Sequence, residues 1–367
     1  MPGSIRIGLI GLGSQIRDFH LPFLEQRGLR EGDVEIGWIS GYVEEDRRFA
    51  EPYESRCPCR PGDAWRELLV QDRVDAVLVS LPNALHEPPI RCALDLGVNV
   101  AVDKPTTVEA AHVRSLVETA ERSGLVFLTI AQRRYEAVYR TVRDLVAAGE
   151  LGRPKYIGYL IAHSVPGRGG GSWHFSKRLS GGGALISSGY HGIDIVLWLL
   201  AHGPTPAPPP SSVSAQWILD DQFPPPEPDD RTESVAAVRI MLGEGEERAV
   251  FQITASFESP RGSLDENIKI FGTRGAVRLM RDRIERKDMS AASLVYQSAE
   301  GGIRPYDTSG LAGERSAPVA DFVNAVLARK RGESWQVVSP AKDSVRVVEI
   351  IEKAYQSAER GGEEIPL

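Results

Sequence analysis

The first 131 residues alternate short β-branched runs with amphipathic stretches, and that alternation constrains the fold more tightly than any other feature of the chain. The runs are Ile5 to Ile10, Val34 to Ile39, Ala76 to Leu81, Val98 to Val102 and Val126 to Ile130. Each reads as a buried strand. Between the last two, Val113, Leu116, Val117 and Ala120 recur at helical spacing, and Gly124 follows where a helix C-cap would stand. Strands joined by crossover helices predict a parallel sheet with right-handed connections, in which ligands bind at the carboxyl ends of the strands.

From Gln132 the rhythm changes. A helix is predicted over Val138 to Gly149, a strand near Tyr156 to Ala162, a Gly-rich loop from Gly167 to Gly171 and a long helix from about Ala184 to Ala201. Ala249, Phe251, Ile253, Ala255 and Phe257 then alternate with Gln252, Thr254 and Ser256, the period of a half-buried strand. Its neighbours Val235 to Leu242, Ile268 to Phe271 and Ala276 to Leu279 are linked by Gly-containing turns, so this sheet is expected to be largely antiparallel. The Pro-rich stretches Gly203 to Pro210 and Phe223 to Pro228 read as surface loops. Helices near Pro318 to Arg331 and Ala341 to Glu359 close the chain. The predicted class is α/β, with a parallel-sheet domain over 1–131 and an α+β domain with an open, largely antiparallel sheet over 132–367.

A length of 367 residues suits two such domains. With 50 acidic against 43 basic residues, the net charge of -7 repels polyanions, so no nucleic-acid partner is expected. Cys57, Cys59 and Cys92 fit neither a CxxC redox pair nor zinc-ligand spacing, and free thiols point to a reducing cytoplasm. The amino terminus has no basic leader or cleavage site and reads as a first strand. The apolar run Ile195 to Ala201 is much shorter than the roughly 20 residues a membrane span needs. No membrane partner and no metal are expected.

Gly11-Leu-Gly13-Ser14-Gln15-Ile16 follows the first strand and precedes a helical pattern, the setting in which glycines let backbone amides approach a pyrophosphate. Ile16 stands where a third small residue is expected. The second strand ends in Ile39-Ser40-Gly41-Tyr42-Val43-Glu44-Glu45, without the carboxylate that would hold a ribose 2′-hydroxyl or an Arg for a 2′-phosphate. NAD and NADP therefore both stay open.

Two further strands end in Leu81-Pro82-Asn83-Ala-Leu-His86 and in Val102-Asp103-Lys104-Pro105. Together with Gln132-Arg133-Arg134, Gly149-Glu-Leu-Gly152, Gly181-Gly-Gly183 to Asp194 and Phe271-Gly-Thr-Arg-Gly275, they make the whole chain resemble the Gfo/Idh/MocA oxidoreductases. The resemblance implies an amino-terminal Rossmann domain. Departures from the family pattern are Ile16, Asp103 for Glu, Ser187 for Asp and the missing strand-two acid. Cofactor contacts are expected from Gly11, Gly13, Ser14, Gln15, Ile16, Pro82, Asn83, His86, Asp103, Lys104 and Arg133. Lys104 is also expected to polarise the substrate oxygen, where its ammonium would stabilise developing alkoxide charge.

Ser187, His191 and Asp194 stand at i, i+4 and i+7 of the long predicted helix, a polar stripe among apolar neighbours. The family match makes His191 the acid/base residue, and an imidazole's ordinary pKa near 6.5 suits that exchange. Asp194, Ser187, His163, Trp173 and Tyr190 are expected to line the substrate wall, where aromatic faces suit sugar-like rings. His20 is expected to pack near the cofactor. The implied activity is reversible hydride transfer between NAD or NADP and a secondary alcohol of a sugar, cyclitol or derivative. Two alternatives are a dinucleotide or sugar sensor without turnover, and a redox-neutral glycosidase or epimerase that recycles its bound cofactor. The partner expected is a small polyhydroxylated substrate, with assembly into a dimer or tetramer through the carboxy-terminal sheet.

Overall fold

A computed structural model describes residues 4–165, 172–204, 207–219, 228–259, 264–283, 292–308 and 315–367. The chain divides into two compact units, 1–132 with 314–345 and 133–313 with 346–367.

The first unit is built on β1 (Ile5–Ile10), β2 (Val34–Ser40), β3 (Cys59–Arg60), β4 (Ala76–Val79), β5 (Asn99–Asp103) and β6 (Phe127–Ile130). All pairs are parallel and the spatial order is β3-β2-β1-β4-β5-β6. Both faces of this sheet are covered. Ile5, Ile7, Leu9, Ala76, Leu78 and Ala101 enter one apolar cluster, while Ile10, Val77, Val79, Val100 and Val102 enter the other. Residues of successive parity need opposite apolar faces, which is why the runs read as continuous rather than alternating. Helices Leu21–Glu31, Trp65–Gln71, Glu87–Asp95 and Ala110–Arg122 make the coverings.

A fifth helix in this unit, Ala317–Arg331, comes from near the end of the chain. Val319, Phe322, Val323, Val326 and Leu327 repeat at i, i+3, i+4, i+7 and i+8 and pack into the cluster that holds Ile7 and Leu9. The sequence boundary at 131 placed everything later in one domain. Periodicity shows that this helix has an apolar stripe but not which sheet the stripe covers.

The second unit carries β7 (Pro154–His163), β8 (Pro210–Leu219), β9 (Glu233–Leu242), β10 (Ala249–Ser256), β11 (Leu264–Gly272), β12 (Gly275–Arg283), β13 (Ser293–Ser298), β14 (Ile303–Tyr306) and β15 (Ile365–Pro366). Their order is β14-β13-β12-β11-β7-β10-β9-β8-β15, and only the β7–β10 pair is parallel. The sheet is therefore mixed and mostly antiparallel. Ile157, Tyr159, Ile161, Phe251, Ile253, Ala255, Ile268 and Ile270 are buried on one face. Helices Ala137–Ala147 and Tyr190–Leu200 pack with each other, and the latter also reaches β7.

Several elements differ from the sequence reading. Strand β8 begins at Pro210, the last residue of a predicted loop, with a register shift between Pro210 and Ser212. Proline is tolerated there because a first strand residue at an irregularity need not donate to the ladder. The short strands β3, β13, β14 and β15 carry little periodicity and are legible only once paired. The predicted loop Gly167 to Gly171 lies outside the described residues, as do 223–227 of the other Pro-rich stretch. The predicted helix Ala184 to Ala201 is two pieces, a π-turn at Leu185–Gly189 followed by the α-helix Tyr190–Leu200. By length and composition Lys177–Leu200 is apolar enough to cross a membrane, but 89% of its most apolar window is buried inside the fold.

One charged cluster sits inside the second unit. Glu266 Oε1 accepts from Arg133 Nε at 2.9 Å, Tyr139 at 2.7 Å and Tyr159 at 2.5 Å, and Oε2 meets Arg133 and Arg281 at 2.8 and 3.4 Å. Glu136 ties the two arginines together from the other side. Burial works to raise the Glu266 carboxyl, and the two guanidinium charges overcome it, leaving the group at about 2. A folded-state value below the ordinary 4.5 gives stability that is fully present above 4.5 and is lost as pH falls towards 2. We expect Glu266→Gln to cost about 3–5 kcal/mol at pH 7, because two buried cations lose a partner. Urea unfolding should show the wild-type advantage shrinking as pH falls from 4.5 towards 2; an advantage independent of pH would contradict this assignment.

Candidate active site

In the first unit, chemistry gathers where β1, β4 and β5 end. Gly11 leaves β1 with φ of 102°, donates to the Ser40 carbonyl at 2.7 Å, and lies so close to the Ser80 carbonyl that a Cβ could not be accommodated. Only glycine tolerates both demands. At Gly13, by contrast, a Cβ would meet nothing within 4 Å. Gly13 and Ser14 are exposed and Gln15 is half-buried, so this turn leaves open space beside its backbone amides, the shape a pyrophosphate needs. Ile16 is fully buried in the core and opens a π-turn, Ile16–His20. A bulky residue is thus seated where a small one is expected, at the start of a turn wider than an α-helical one.

Asp103 closes β5. Its carboxylate is hydrogen-bonded by Ser80 and lies 3.7 Å from His20 Nε2. Burial pushes the Asp103 carboxyl upward, yet the His20 and Ser80 contacts outweigh it and hold the group below its usual range. The side chain is thus anchored between β4 and the helix that follows the Gly-rich turn. Lys104 comes next, half-buried and joined to Pro105 by a cis peptide. His86 is fully buried, its Nδ1 2.9 Å from the Pro105 carbonyl and its Nε2 2.8 Å from that of Leu81. Burial lowers the His86 pKa despite these carbonyls. With one N–H in its neutral form, the ring donates to one of these carbonyls and lies against the other, so His86 bridges the Pro-Asn loop and the Lys-Pro turn. Pro82 is half-buried and Asn83 buried in the same loop. Beyond Ser40, which is buried, Glu44 pairs with Arg47 at 3.3 Å and Asp46 with Arg17 at 3.9 Å.

In the second unit, His191 lies in the first turn of Tyr190–Leu200, buried, with the Tyr190 ring edge-on at 6.4 Å. Asp194 is one turn on and accepts a bidentate pair from Arg134, at 3.0 and 2.5 Å. Its carboxylate is committed to that guanidinium. Ser187 lies in the π-turn that precedes this helix. Ser188 instead holds His163 Nε2 at 2.7 Å. Tyr190 is almost wholly buried. Trp173 stacks on His174 with centroids 3.8 Å apart, and His174 Nδ1 is 2.9 Å from Ser172 Oγ. Arg133, expected at the cofactor, has its guanidinium taken up by Glu136 and Glu266. Sequence reasoning missed Ser80, Glu233 and Tyr355. Glu233, buried at the start of β9, accepts the Gly183 and Leu185 amides at 2.9 and 2.8 Å and the Tyr355 hydroxyl at 2.9 Å. No local pattern marks a carboxylate whose backbone partners lie 50 and 48 residues earlier and whose tyrosine partner lies 122 residues later.

A parallel sheet of this order, with a glycine cradle opening at its strand ends, is the arrangement of a dinucleotide-binding Rossmann domain. Residues 5–131 match the oxidoreductase family with an NAD-binding Rossmann fold, and 139–278 match the GFO/IDH/MocA C-terminal domain. The chain belongs to the Gfo/Idh/MocA family. Among its relatives are 1,5-anhydro-D-fructose reductase of Ensifer adhaerens, 32% identical over 55% of this chain and 58% of that protein, and inositol 2-dehydrogenase of Corynebacterium glutamicum, 26% identical over 54% and 55%. The chain thus spans a little over half the length of the curated relatives it matches. An inositol dehydrogenase homologue from Azotobacter vinelandii, solved with NAD+, shares the fold with a TM-score of 0.79 at 20% identity, covering 99% of this chain and 97% of that one.

The two glycines predict different failures. Gly13→Ala should melt like the wild type but bind NADH at least about tenfold more weakly, a loss of about 1.4 kcal/mol or more. Gly11→Ala should lose about 1–3 kcal/mol or more of stability. Thermal melts beside NADH fluorescence titrations separate the two, and equal NADH affinity in wild type and Gly13→Ala would contradict the cradle.

Proposed function

We propose that the chain is an NAD(P)-dependent dehydrogenase acting on a secondary alcohol of a sugar, cyclitol or derivative. The observation that carries this reading is the Asp103-Lys104-Pro105 turn, held by Ser80, His20 and His86 at the strand edge where the Gly11–Gly13 cradle also opens. Gly11, Gly13, Ser14 and Gln15 would hold the pyrophosphate, and Pro82, Asn83 and Asp103 would flank the nicotinamide end. Bound there, nicotinamide supplies the hydride acceptor or donor. Lys104 Nζ donates to the substrate oxygen and steadies the negative charge that grows on it. A ring nitrogen of His191 takes the hydroxyl proton during oxidation and returns it during reduction. Trp173 and His163 supply a ring face and an imidazole for a polyhydroxylated substrate.

The relatives support the substrate class, since one reduces an anhydro-sugar and another is named for inositol. The reading extends to a dimer or tetramer formed through the outward face of the second sheet, and to a cytoplasmic setting in which Cys57, Cys59 and Cys92 stay reduced. Turnover of a polyol and ketose panel with NADH, NADPH and their oxidised forms tests the assignment. Lys104→Ala and His191→Asn should each lower kcat/KM by about 10²–10⁴-fold while binding NADH as the wild type does. Either variant turning over normally would remove that residue from the mechanism. Tight NADH binding with no turnover of any substrate would favour a sensor.

A further inference from the structure

The segment that carries His191 begins without a cap of its own. Gly181, Gly182 and Gly183 precede it and Ala184 opens it, and none of these side chains can accept a hydrogen bond. The first N–H groups of a helix have no partner within the helix, and leaving them unmet inside a protein is costly. Glu233 meets them from outside. It is 2% exposed, and its two oxygens divide the work, Oε2 accepting from Gly183 and Oε1 from Leu185. Tyr355, on the helix Ser344–Glu359, donates to Oε1 at 2.9 Å while its own oxygen accepts the Ile186 amide at 3.3 Å. Three amides, those of residues 183, 185 and 186, are therefore held by two side chains brought from distant parts of the second unit.

The glycines are part of this device. A Cβ on Gly182 would run into the Tyr355 hydroxyl, and one on Gly183 into the Glu233 backbone. A negative charge beside the amino end of a helix is also favourable in itself. The clamp grips the first two residues of the π-turn Leu185–Gly189, and only the rest of that turn and Tyr190 separate it from His191, so where the clamp holds the chain sets where the imidazole begins.

We infer that Glu233 and Tyr355 form a positioning pair for His191, fixing the start of its helix so that the imidazole is held for proton transfer. The inference rests on the acid/base role proposed above for His191. A carboxylate is required because both oxygens accept, whereas the amide introduced by Glu233→Gln would turn its NH2 group towards one of the two backbone donors. The substitution Glu233→Asp keeps the charge but is one methylene short.

The test uses the full chain carrying Glu233→Gln, Glu233→Asp or Tyr355→Phe. Histidine-labelled NMR spectra identify the His191 ring signal by its loss in His191→Asn, and hydrogen exchange follows the Leu185–Tyr190 amides. Glu233→Gln should shift the His191 signal and speed exchange of those amides at least about tenfold, with NADH affinity unchanged within about twofold. Tyr355→Phe, the milder change and the safer one to fold, should shift the signal in the same direction by less. Glu233→Asp should restore part of the wild-type position. Faster exchange with a His191 signal superimposable on the wild type in both Glu233→Gln and Tyr355→Phe would reduce the pair to a structural cap and overturn the inference. Full turnover in His191→Asn would instead overturn the acid/base role while leaving the clamp's effect on the ring measurable.

Discussion

The close approach of Gly11 to the Ser80 carbonyl is the constraint on which the first unit's chemistry depends. Strands β1 and β4 are neighbours in the parallel ladder, and their ends are drawn together because Ser80 N–H donates to the Ile10 carbonyl at 2.8 Å. That contact leaves no room for a side chain at position 11 and turns the chain so that Gly13 and Ser14 face open space. The same Ser80 then reaches across to Asp103 at the end of β5. One residue therefore links the cradle to the turn that bears Lys104.

Two buried carboxylates, Glu266 and Glu233, and the half-buried Asp103 show how partners decide the character of a charge. Asp103 and Glu266 are both driven upward by burial and both end below their ordinary range, because His20 and Ser80 face one and two guanidinium groups face the other. Glu233 ends above its ordinary range, since its partners are backbone amides and a tyrosine hydroxyl, which stabilise the anion less than a cation would. Burial is common to all three. Guanidinium charge is what separates Glu266 from Glu233.

Much of this architecture was legible in the residues alone. All five strands predicted for the first unit are present, since a sheet covered on both faces writes itself as continuous apolar runs. The second sheet's alternation at 249–257 was equally plain. What could not be read is long-range: that Ala317–Arg331 covers the first sheet, that Arg133 meets Glu266 across more than a hundred residues, and that Asp194 spends its carboxylate on Arg134. The π-turn at Leu185–Gly189 was also invisible, because an extra residue in one turn leaves the composition of a helix unchanged. His86 illustrates the intermediate case. Its loop is legible in the residues, but only the structure shows the buried ring lying between the Leu81 and Pro105 carbonyls.

The central claim, that this chain moves a hydride between nicotinamide and a carbinol carbon, is tested most directly by following the hydride itself. NADH deuterated at the transferable C4 position can be incubated with the protein and a panel of keto-sugars and keto-cyclitols, and the products weighed by mass spectrometry. The account predicts a product carrying one deuterium, with none in matched incubations of Lys104→Ala. Cofactor bound at full occupancy with no deuterium reaching any acceptor would contradict it.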